Sequence, residues 1–443
     1  MIDPSATARL THLPARNASE GCSQPCWRYG LVGLVILLSV ATTPMSAQEA
    51  SSPLPPHPLR LADCLAISEV RQPSLAVART RVATAQAKVA SLQALNGPAA
   101  LIRHELPVRL EQARLGVANA QADLDRLEVE NRYVVTRAYL SLLYARAQQA
   151  ALDDLVEDLR YLRERVRVSV EKKERPEWTA ATVDLITLYL RRAEARRTEA
   201  VRGIALSIAA LREALNLEPC VVLNIAEEPI PQPTVQVCRE DILAAAVARR
   251  GEVIEAGTAM EATALEVDAQ AKNHRHGAVH TFAAGTDLHS RHVPQPIYGE
   301  DFRPGGIPLA MPDVLVGKRP GRVESAQELS QQAVHVAQKT RNLVILEAEE
   351  AYYSWQEWSQ KVVLYREAEV VGLRLGRGLR EQFRGPFTRV IEGALPEVLL
   401  AAQARTDYNE ALFRQAIALA GLERVTGGVF CAGLTNEPPP SKP

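Results

Sequence analysis

Apolar residues recur in alternating steps of three and four in the middle of the first half of the chain. They fall at Leu155, Leu159, Leu162 and Val166, and most positions between them carry Asp, Glu or Arg side chains. This spacing puts the apolar residues on one stripe of an α-helix, as in the seam of a coiled coil. The helical pattern extends from about 107 to 174, which predicts a helix about 100 Å long.

Two such long helical patterns each end at a proline-containing break. The breaks lie at 172–176 (KKERP) and 384–386 (RGP), and the pattern resumes at 182–197 and at 396–422. Proline ends a helix because it lacks a backbone N–H and clashes with the preceding turn. Each break is therefore predicted to join two long helices into an antiparallel hairpin.

The chain also aligns with itself. Ala62–Val89 runs without a gap against Glu240–Val267, and Leu110–Leu140 runs against Val323–Tyr353. Two ordered matches indicate a tandem duplication of one helical unit. The second match has an offset larger by about 35 residues, so the second half carries an insertion, at 273–321, where the composition changes to Gly, Pro and His.

These patterns predict a mainly α protein made of duplicated long helical hairpins, with a reduced β portion. The predicted segments, in chain order, are a signal peptide with a long n-region at 1–47, a Pro-rich segment at 48–58, helical repeat 1 at 59–216, a linker at 217–238, helical repeat 2 at 239–428 and a disordered tail at 429–443. The signal peptide rests on a short apolar run, Tyr29–Val40, that follows several arginines and precedes small residues. An uncleaved anchor is the alternative, although the run is short for a membrane span.

Charge and residue chemistry exclude several classes of function. The chain has 51 basic and 52 acidic residues that alternate along the helices, so it offers no basic face to a nucleic acid. It pairs no nucleophile with a base and an orienting carboxylate, and no Gly-rich phosphate loop follows a strand. We therefore predict neither an enzyme nor a cofactor. Cys220 and Cys238 flank the linker, and the sequence leaves open whether they pair.

Four segments carry a resemblance to a known family: LRLADCLAISEVRQPSLAVARTRVATAQAKV at 59–89, RAYLSLLYARAQQAALDDLVEDLRYLRERV at 137–166, ATVDLITLYLRRAEARR at 181–197 and NEALFRQAIALAGLERVTGG at 409–428. In this order, and with the duplication, they resemble the outer-membrane efflux protein family, the TolC-like export ducts. The resemblance implies a homotrimer whose protomers supply twelve helices to a hollow periplasmic cylinder, capped by a barrel in the outer membrane of a Gram-negative bacterium. It also implies two partners, a periplasmic adaptor and an inner-membrane pump.

The sequence departs from the family pattern where membrane strands are expected. A membrane strand needs about 9–11 residues, and Gln93–Leu106 is too short for two such strands and a loop. The second repeat has room at Gly277–Val293 and Ile307–Val316, but neither segment alternates as a lipid-facing strand does. We therefore predict at most a short hairpin or an irregular loop at 277–316. A reduced barrel, another outer-membrane attachment and a purely periplasmic assembly all stay open.

The resemblance also points to residues at the hairpin tips. Charged residues that would close the periplasmic mouth are Asp184, Arg389, Glu392 and Glu397. Residues that would contact the adaptor are Glu174, Arg175, Arg384 and Gly385. A ring of such charges across three protomers could hold the helices together and select cations. The alternative is ordinary helix capping and solvated surface charge.

A histidine cluster in the insertion is a further candidate. His274, His276 and His280 would share one face if this segment were a strand, and imidazoles so placed can bind a divalent metal. The other interpretation is a solvated loop.

Two functions remain. The first is a passive duct for small molecules or peptides in a tripartite efflux or type I export system. The second is a non-conducting periplasmic scaffold or tether that has lost its membrane portion. Ion conduction by the assembled protein separates them.

Overall fold

The computed structural model describes residues 54–95, 104–233, 235–285, 311–384 and 391–428, all within one compact unit, Pro53–Pro443. The side chains of residues 379–394 are not part of this description. The predicted signal peptide, most of the Pro-rich segment and the predicted C-terminal tail also lie outside the described residues.

The described residues form eight α-helices and two short strands. The helices are α1 (Leu61–Arg71), α2 (Pro73–Ala94), α3 (Leu106–Glu171), α4 (Ala180–Ala214), α5 (Arg239–Arg249), α6 (Gly251–Lys272), α7 (Arg319–Arg384) and α8 (Ile391–Val425). The strands are β1 (Gly277–His280) and β2 (Val314–Gly317). The prediction of a mainly α fold built from long helical hairpins is confirmed.

The duplication is preserved in the lengths of the helices. Helices α1 to α4 contain 11, 22, 66 and 35 residues, and α5 to α8 contain 11, 22, 66 and 35 residues. Each helix of one half therefore has a counterpart of equal length in the other half. We call two residues counterparts when they occupy the same position in counterpart helices.

Both halves begin with a short helix that breaks after three turns. In the first half the break falls at Gln72, whose ψ of 118° is extended, and Pro73 then begins α2. Proline suits this position because its missing N–H would have no intrahelical partner there. In the second half the break falls at Arg250, with ψ of 127°, and Gly251 begins α6.

The long helices pack side by side in rows. Near the tips, α3 packs against both α4 and α8, and α7 packs against α8, which gives the order α4, α3, α8, α7. At the other end α2 and α6 pack against α3, and α6 packs against α7. Each level thus has four described helices abreast. We call the outward sides of α4 and α7 the free edges of the protomer.

The coiled-coil pattern marks the inside of the first hairpin. Leu159, Leu162 and Val166 are almost fully buried, and they share a core cluster with Ile186 and Leu190 of α4. Burial of such side chains contributes roughly 1.5–3 kcal/mol each to folding. The stripe predicted from the sequence is therefore the seam that closes the α3–α4 hairpin.

The two strands form a short antiparallel hairpin. Gly277 pairs with Gly317 and His280 pairs with Val314, so each strand has only four residues. This agrees with the short hairpin predicted for 277–316, of which residues 286–310 lie outside the described part. None of the described helices combines the length and the apolar character that crossing a membrane requires.

The linker between the halves runs in an extended conformation beside the start of the first repeat. The Leu59 N–H donates to the Asn224 carbonyl at 2.8 Å, and the Ala226 N–H donates to the Leu59 carbonyl at 3.0 Å. Cys220 and Cys238 are both free and exposed. The disulfide that the sequence left open is therefore not formed.

Candidate functional site

The tip between α3 and α4 is a turn closed by its own backbone. Lys173 adopts a left-handed conformation with φ of 54°. Its N–H donates to the Val170 carbonyl at 3.2 Å, and the Glu174 N–H donates to the Ser169 carbonyl at 3.1 Å. This pair of hydrogen bonds satisfies carbonyls that the end of a helix leaves free. The turn therefore has a defined conformation before any partner binds.

A buried tryptophan anchors the tip to the helices. Trp178 belongs to the core cluster of the α3–α4 hairpin and is 7 % exposed. The Arg175 guanidinium carbon lies 5.2 Å from the centre of the Trp178 ring, and its Nη1 lies 3.3 Å from Glu177 Oε1. The Thr179 N–H donates to Thr182 Oγ1 at 3.3 Å where α4 begins. The tip thus presents charged groups on a fixed apolar base.

The structure gathers some of the predicted tip residues and separates others. Glu174 is exposed in the turn, with Lys172 Nζ 3.9 Å away, and Arg175 lies next to it. Asp184 is exposed but lies on α4, one turn inside the helix. Glu397 is partly buried on α8. Glu174 and Arg175 therefore lie together in the turn, whereas Asp184 and Glu397 lie on the helices that follow the two tips.

The tip between α7 and α8 is only partly described. Gly385 and Arg389 lie outside the described residues, and the side chains of Arg384 and Glu392 do as well. Helix α8 begins at Ile391, so our prediction of a start at Pro396 was wrong. The helix continues through this proline at the cost of one intrahelical hydrogen bond. Burial of Leu395 and Val398 on either side of it offsets that loss.

The three histidines do not form the shared face that the sequence suggested. The strand begins only at Gly277, so His274 and His276 lie in the connection before it and only His280 lies on β1. The His274 ring instead lies perpendicular to the His104 ring, with 6.3 Å between ring centres. Among the described residues, no three His, Cys, Asp or Glu side chains are grouped to hold a metal ion.

Charged side chains cluster where the two halves of the chain meet. Arg250, at the break before α6, donates to both oxygens of Glu252 at 2.9 and 2.7 Å and lies 3.0 Å from Glu347 on α7. Arg424 of α8 donates to the other oxygen of Glu347 at 2.6 Å, and to Glu130 of α3 at 3.3 Å. This group, which we call the central charge cluster, links four helices. It borders a cavity of about 440 Å³.

Burial and pairing oppose each other within this cluster. Burial has the largest single effect on Glu252 and alone would raise its pKa. The hydrogen bonds and charge of Arg250, with smaller effects from a backbone hydrogen bond and from Arg126, together outweigh burial, and the pKa lies below its usual value. Burial alone would lower the pKa of Arg250, and its two carboxylate partners raise it instead. Both groups are therefore charged at neutral pH, and each depends on the other to remain buried.

A second polar cluster lies beneath the β-hairpin. Arg109 of α3 donates to both carboxylate oxygens of the fully buried Glu266 of α6, and to the His280 carbonyl at 2.8 Å. Gln270 donates to Glu266 at 2.7 Å and accepts from Arg322 of α7 at 2.9 Å. These contacts join the starts of both long helices to the hairpin.

Sequence reasoning missed both clusters, although the second one has a signal in the sequence. The self-alignment that begins at Leu110 and Val323 can be extended three residues upstream. It then matches Pro107 with Pro320, and Arg109 with Arg322. A Pro-x-Arg sequence therefore occurs at the start of each long helix. Its two arginines, Arg109 and Arg322, both belong to this second polar cluster. The central charge cluster has no such signal, since the counterpart of Arg250 is Gln72.

Comparison with known proteins identifies the fold. No protein-family profile and no curated protein matches the sequence. Among solved structures, the outer-membrane channel OprN matches with a TM-score of 0.66 and 13 % identity over 84 % of this chain and 90 % of that one. The outer membrane protein VceC of Vibrio cholerae gives 0.64 and 15 % over 84 % and 96 %. The MtrE outer membrane channel of Neisseria gonorrhoeae gives 0.62 and 12 % over 83 % and 89 %.

These matches cover most of both chains in each comparison. They confirm, at the level of the fold, the resemblance that the sequence indicated. The chain has the fold of the TolC-like outer-membrane efflux channels.

Proposed function

We propose that this chain is a passive export duct of a Gram-negative outer membrane and periplasm, and that it works as a homotrimer. The observation that carries the proposal is the row of four helices with two free edges. One row cannot enclose a space, whereas three copies joined edge to edge supply twelve helices. The likeness in fold to outer-membrane channels supports the same arrangement.

The free edges carry apolar side chains that one copy leaves uncovered. On α7 the exposed residues Tyr353, Leu364, Val371 and Leu375 follow one another in steps of 11, 7 and 4, which puts them on a single stripe. On α4, Leu188 and three further large apolar residues are also exposed. Stripes of this kind on a helix surface favour a further helix as partner.

The hairpin tips are the proposed contacts with the rest of an export system. Glu174 and Arg175 sit on a preformed turn, and Arg384 and Gly385 occupy the matching break of the second hairpin. We propose that a periplasmic adaptor, coupled to an inner-membrane pump, binds these four positions. In the same proposal Asp184, Arg389, Glu392 and Glu397 control passage near the mouth, and the substrates are small molecules or peptides.

A second candidate is a non-conducting periplasmic scaffold. It is favoured by the asymmetry of the two halves: only residues 95–105 connect α2 to α3, whereas residues 273–318 connect α6 to α7. A protein that only spaces or tethers other components would need the long helices but no open passage. Both candidates share the helical rows.

Light scattering on detergent-extracted protein tests the assembly. We expect the mass of three copies, and a monomer would exclude the duct.

Cross-linking in cells then tests the proposed contact between the hairpin tips and the adaptor. Cysteines placed at Glu174 or Arg384 should cross-link to the adaptor, whereas a cysteine at Asp287, in the insertion, should not. Equal cross-linking at both ends would contradict the proposed orientation.

A further inference from the structure

Contacts between the two halves of one copy provide a template for contacts between two copies. Helices α3 and α8 belong to different halves and pack against each other in the middle of the row. Their counterparts are α7 and α4, which form the free edges. When α7 of one copy meets α4 of the next, the same pair of surfaces is brought together again. This step rests on the proposed homotrimer, in which the free edges meet.

Sequence identities align α4 with α8. The segment TEAVR at 198–202 matches NEALF at 409–413, with Glu and Ala identical. Arg202 therefore takes the place of Phe413. The burial of the two segments differs: Leu412 is 9 % exposed, whereas the valine of TEAVR is 46 % exposed. The edge helix thus keeps an apolar residue where its counterpart buries one.

Sequence identities also align α3 with α7. The segment AYLS at 138–141 matches AYYS at 351–354. The leucine of AYLS is fully buried, whereas its counterpart Tyr353 is 54 % exposed. Further along, Ala151, which borders a cavity lined by residues of α8, is 3 % exposed and its counterpart Leu364 is 65 % exposed. These positions of α7 are therefore apolar like their buried counterparts in α3, but they remain exposed in one copy.

One contact of the α3–α8 interface has side chains of a different kind at the corresponding positions of α7 and α4. The rings of Tyr144 and Phe413 stack across the α3–α8 interface, with 4.6 Å between their centres and 17° between their planes. Their counterparts are Glu357 and Arg202, which carry opposite charges and are both exposed. We propose that Arg202 of one copy forms an ion pair with Glu357 of the next copy, at the position where an aromatic stack joins the two halves of each copy.

The surroundings of Glu357 reproduce those of Tyr144. Gln148 Nε2 donates to the Tyr144 hydroxyl at 2.9 Å and to the Thr406 carbonyl at 3.1 Å on α8. The counterpart of Gln148 is Lys361, whose Nζ donates to Glu357. The local contact within α7 is thus the same as the one within α3. Arg202 has no ion-pair partner within the described part of its own copy, so it is available to this carboxylate.

An ion pair of the α3–α8 interface has no equivalent at the corresponding positions of α7 and α4. Arg405 of α8 bonds Asp154 of α3, but their counterparts are Glu194 and Glu367, which have like charges. Glu194 is already held by two arginines of its own copy, at 2.7 Å each. The two interfaces therefore share their apolar positions and differ in their charges. Such a difference favours correct pairing, because Glu357 placed against Phe413 would lack the ion pair with Arg202.

Disulfide cross-linking tests the geometry. In a background with Cys220→Ser and Cys238→Ser, the paired changes Arg202→Cys and Glu357→Cys should give disulfide-linked trimers under mild oxidation. A mixture of copies with one change each should give linked dimers only, because the two positions lie on opposite free edges of one copy. The matched control pairs Arg202→Cys with Glu367→Cys, about 15 Å further along α7, and it should not cross-link.

Charge exchange tests the ion pair itself. Arg202→Glu or Glu357→Arg should raise the concentration at which half of the trimer dissociates by about tenfold, since each places like charges together. The two changes combined should restore assembly. A stable trimer that neither cross-links at this pair nor responds to the exchange would overturn this inference and leave the duct intact. A monomer would overturn both.

Discussion

At the scale of single residues, close helix packing depends on a glycine at the start of α6. A Cβ at Gly251 would lie 2.6 Å from the Ala122 carbonyl oxygen and 3.0 Å from Arg126 Cβ. The oxygen belongs to the backbone of α3 and cannot move alone. We expect Gly251→Ala to lower the free energy of unfolding by about 1–3 kcal/mol, as overpacked sites do.

Gly257 supplies the matched control for this change. It lies in the same helix, and a Cβ there would meet nothing within 4 Å. Gly257→Ala should stabilise the helix by about 0.5–1 kcal/mol, because alanine loses less backbone entropy than glycine. Thermal unfolding of both variants checks the pair. Equal effects would show that α6 does not approach α3 as closely as described.

The cysteines should differ sharply in reactivity. Burial, with a smaller effect from Asp63, raises the pKa of Cys64 to about 12, so this thiol holds almost no thiolate at pH 8. Cys220 and Cys238 are exposed. Site-resolved mass spectrometry after iodoacetamide treatment at pH 8 should find the two linker cysteines modified and Cys64 protected until urea is added. Comparable labelling of Cys64 in the folded protein would contradict its burial.

At the scale of elements, the central charge cluster makes the junction of the two halves sensitive to acid. The pKa of Glu252 is lower in the folded chain than its usual 4.5. Its contribution to stability is therefore fully present above that usual value and is lost as the pH falls through the folded pKa. We expect Glu252→Gln to flatten the fall in melting temperature between pH 5 and pH 3.

Glu199→Gln is the control for this measurement, because Glu199 is exposed on α4. This variant should keep the acid dependence of the unchanged protein. Glu252→Gln should also melt at a lower temperature at pH 7, since Arg250 then loses a charged partner while buried. An acid profile that is the same for both variants would mean that the cluster does not stabilise the junction.

Periodicity and proline positions predicted most of the elements but not their contacts. The apolar stripe ending at Val166 and the proline-containing break at 172–176 predicted the first hairpin. Both signals could be interpreted because helical periodicity and helix breaking are local properties of the sequence. The start of α8 was misplaced because packing carries the helix through Pro396, which no local rule reveals. The central charge cluster was missed for a related reason: Arg250, Glu347 and Arg424 meet only after distant helices have packed.

At the scale of the whole molecule, duplication explains why one chain forms a row and why several copies can close it. The two halves present the same pair of surfaces twice, once inside the copy and once at its free edges. Duplication was visible in the sequence, but the order of helices in the row was not, since it depends on which faces meet. That order is what makes α4 and α7 the free edges.

Ion conduction in a planar bilayer tests the proposed duct most directly. Purified trimer should be compared with a variant in which Asp184→Ala and Glu397→Ala remove charges near the proposed mouth. We expect discrete conductance steps from the trimer and more frequent steps from this variant. At a protein concentration near the half-dissociation point, Arg202→Glu should give fewer steps, and adding Glu357→Arg should restore their number. A trimer that forms by light scattering but conducts in neither form would contradict the duct and favour the scaffold.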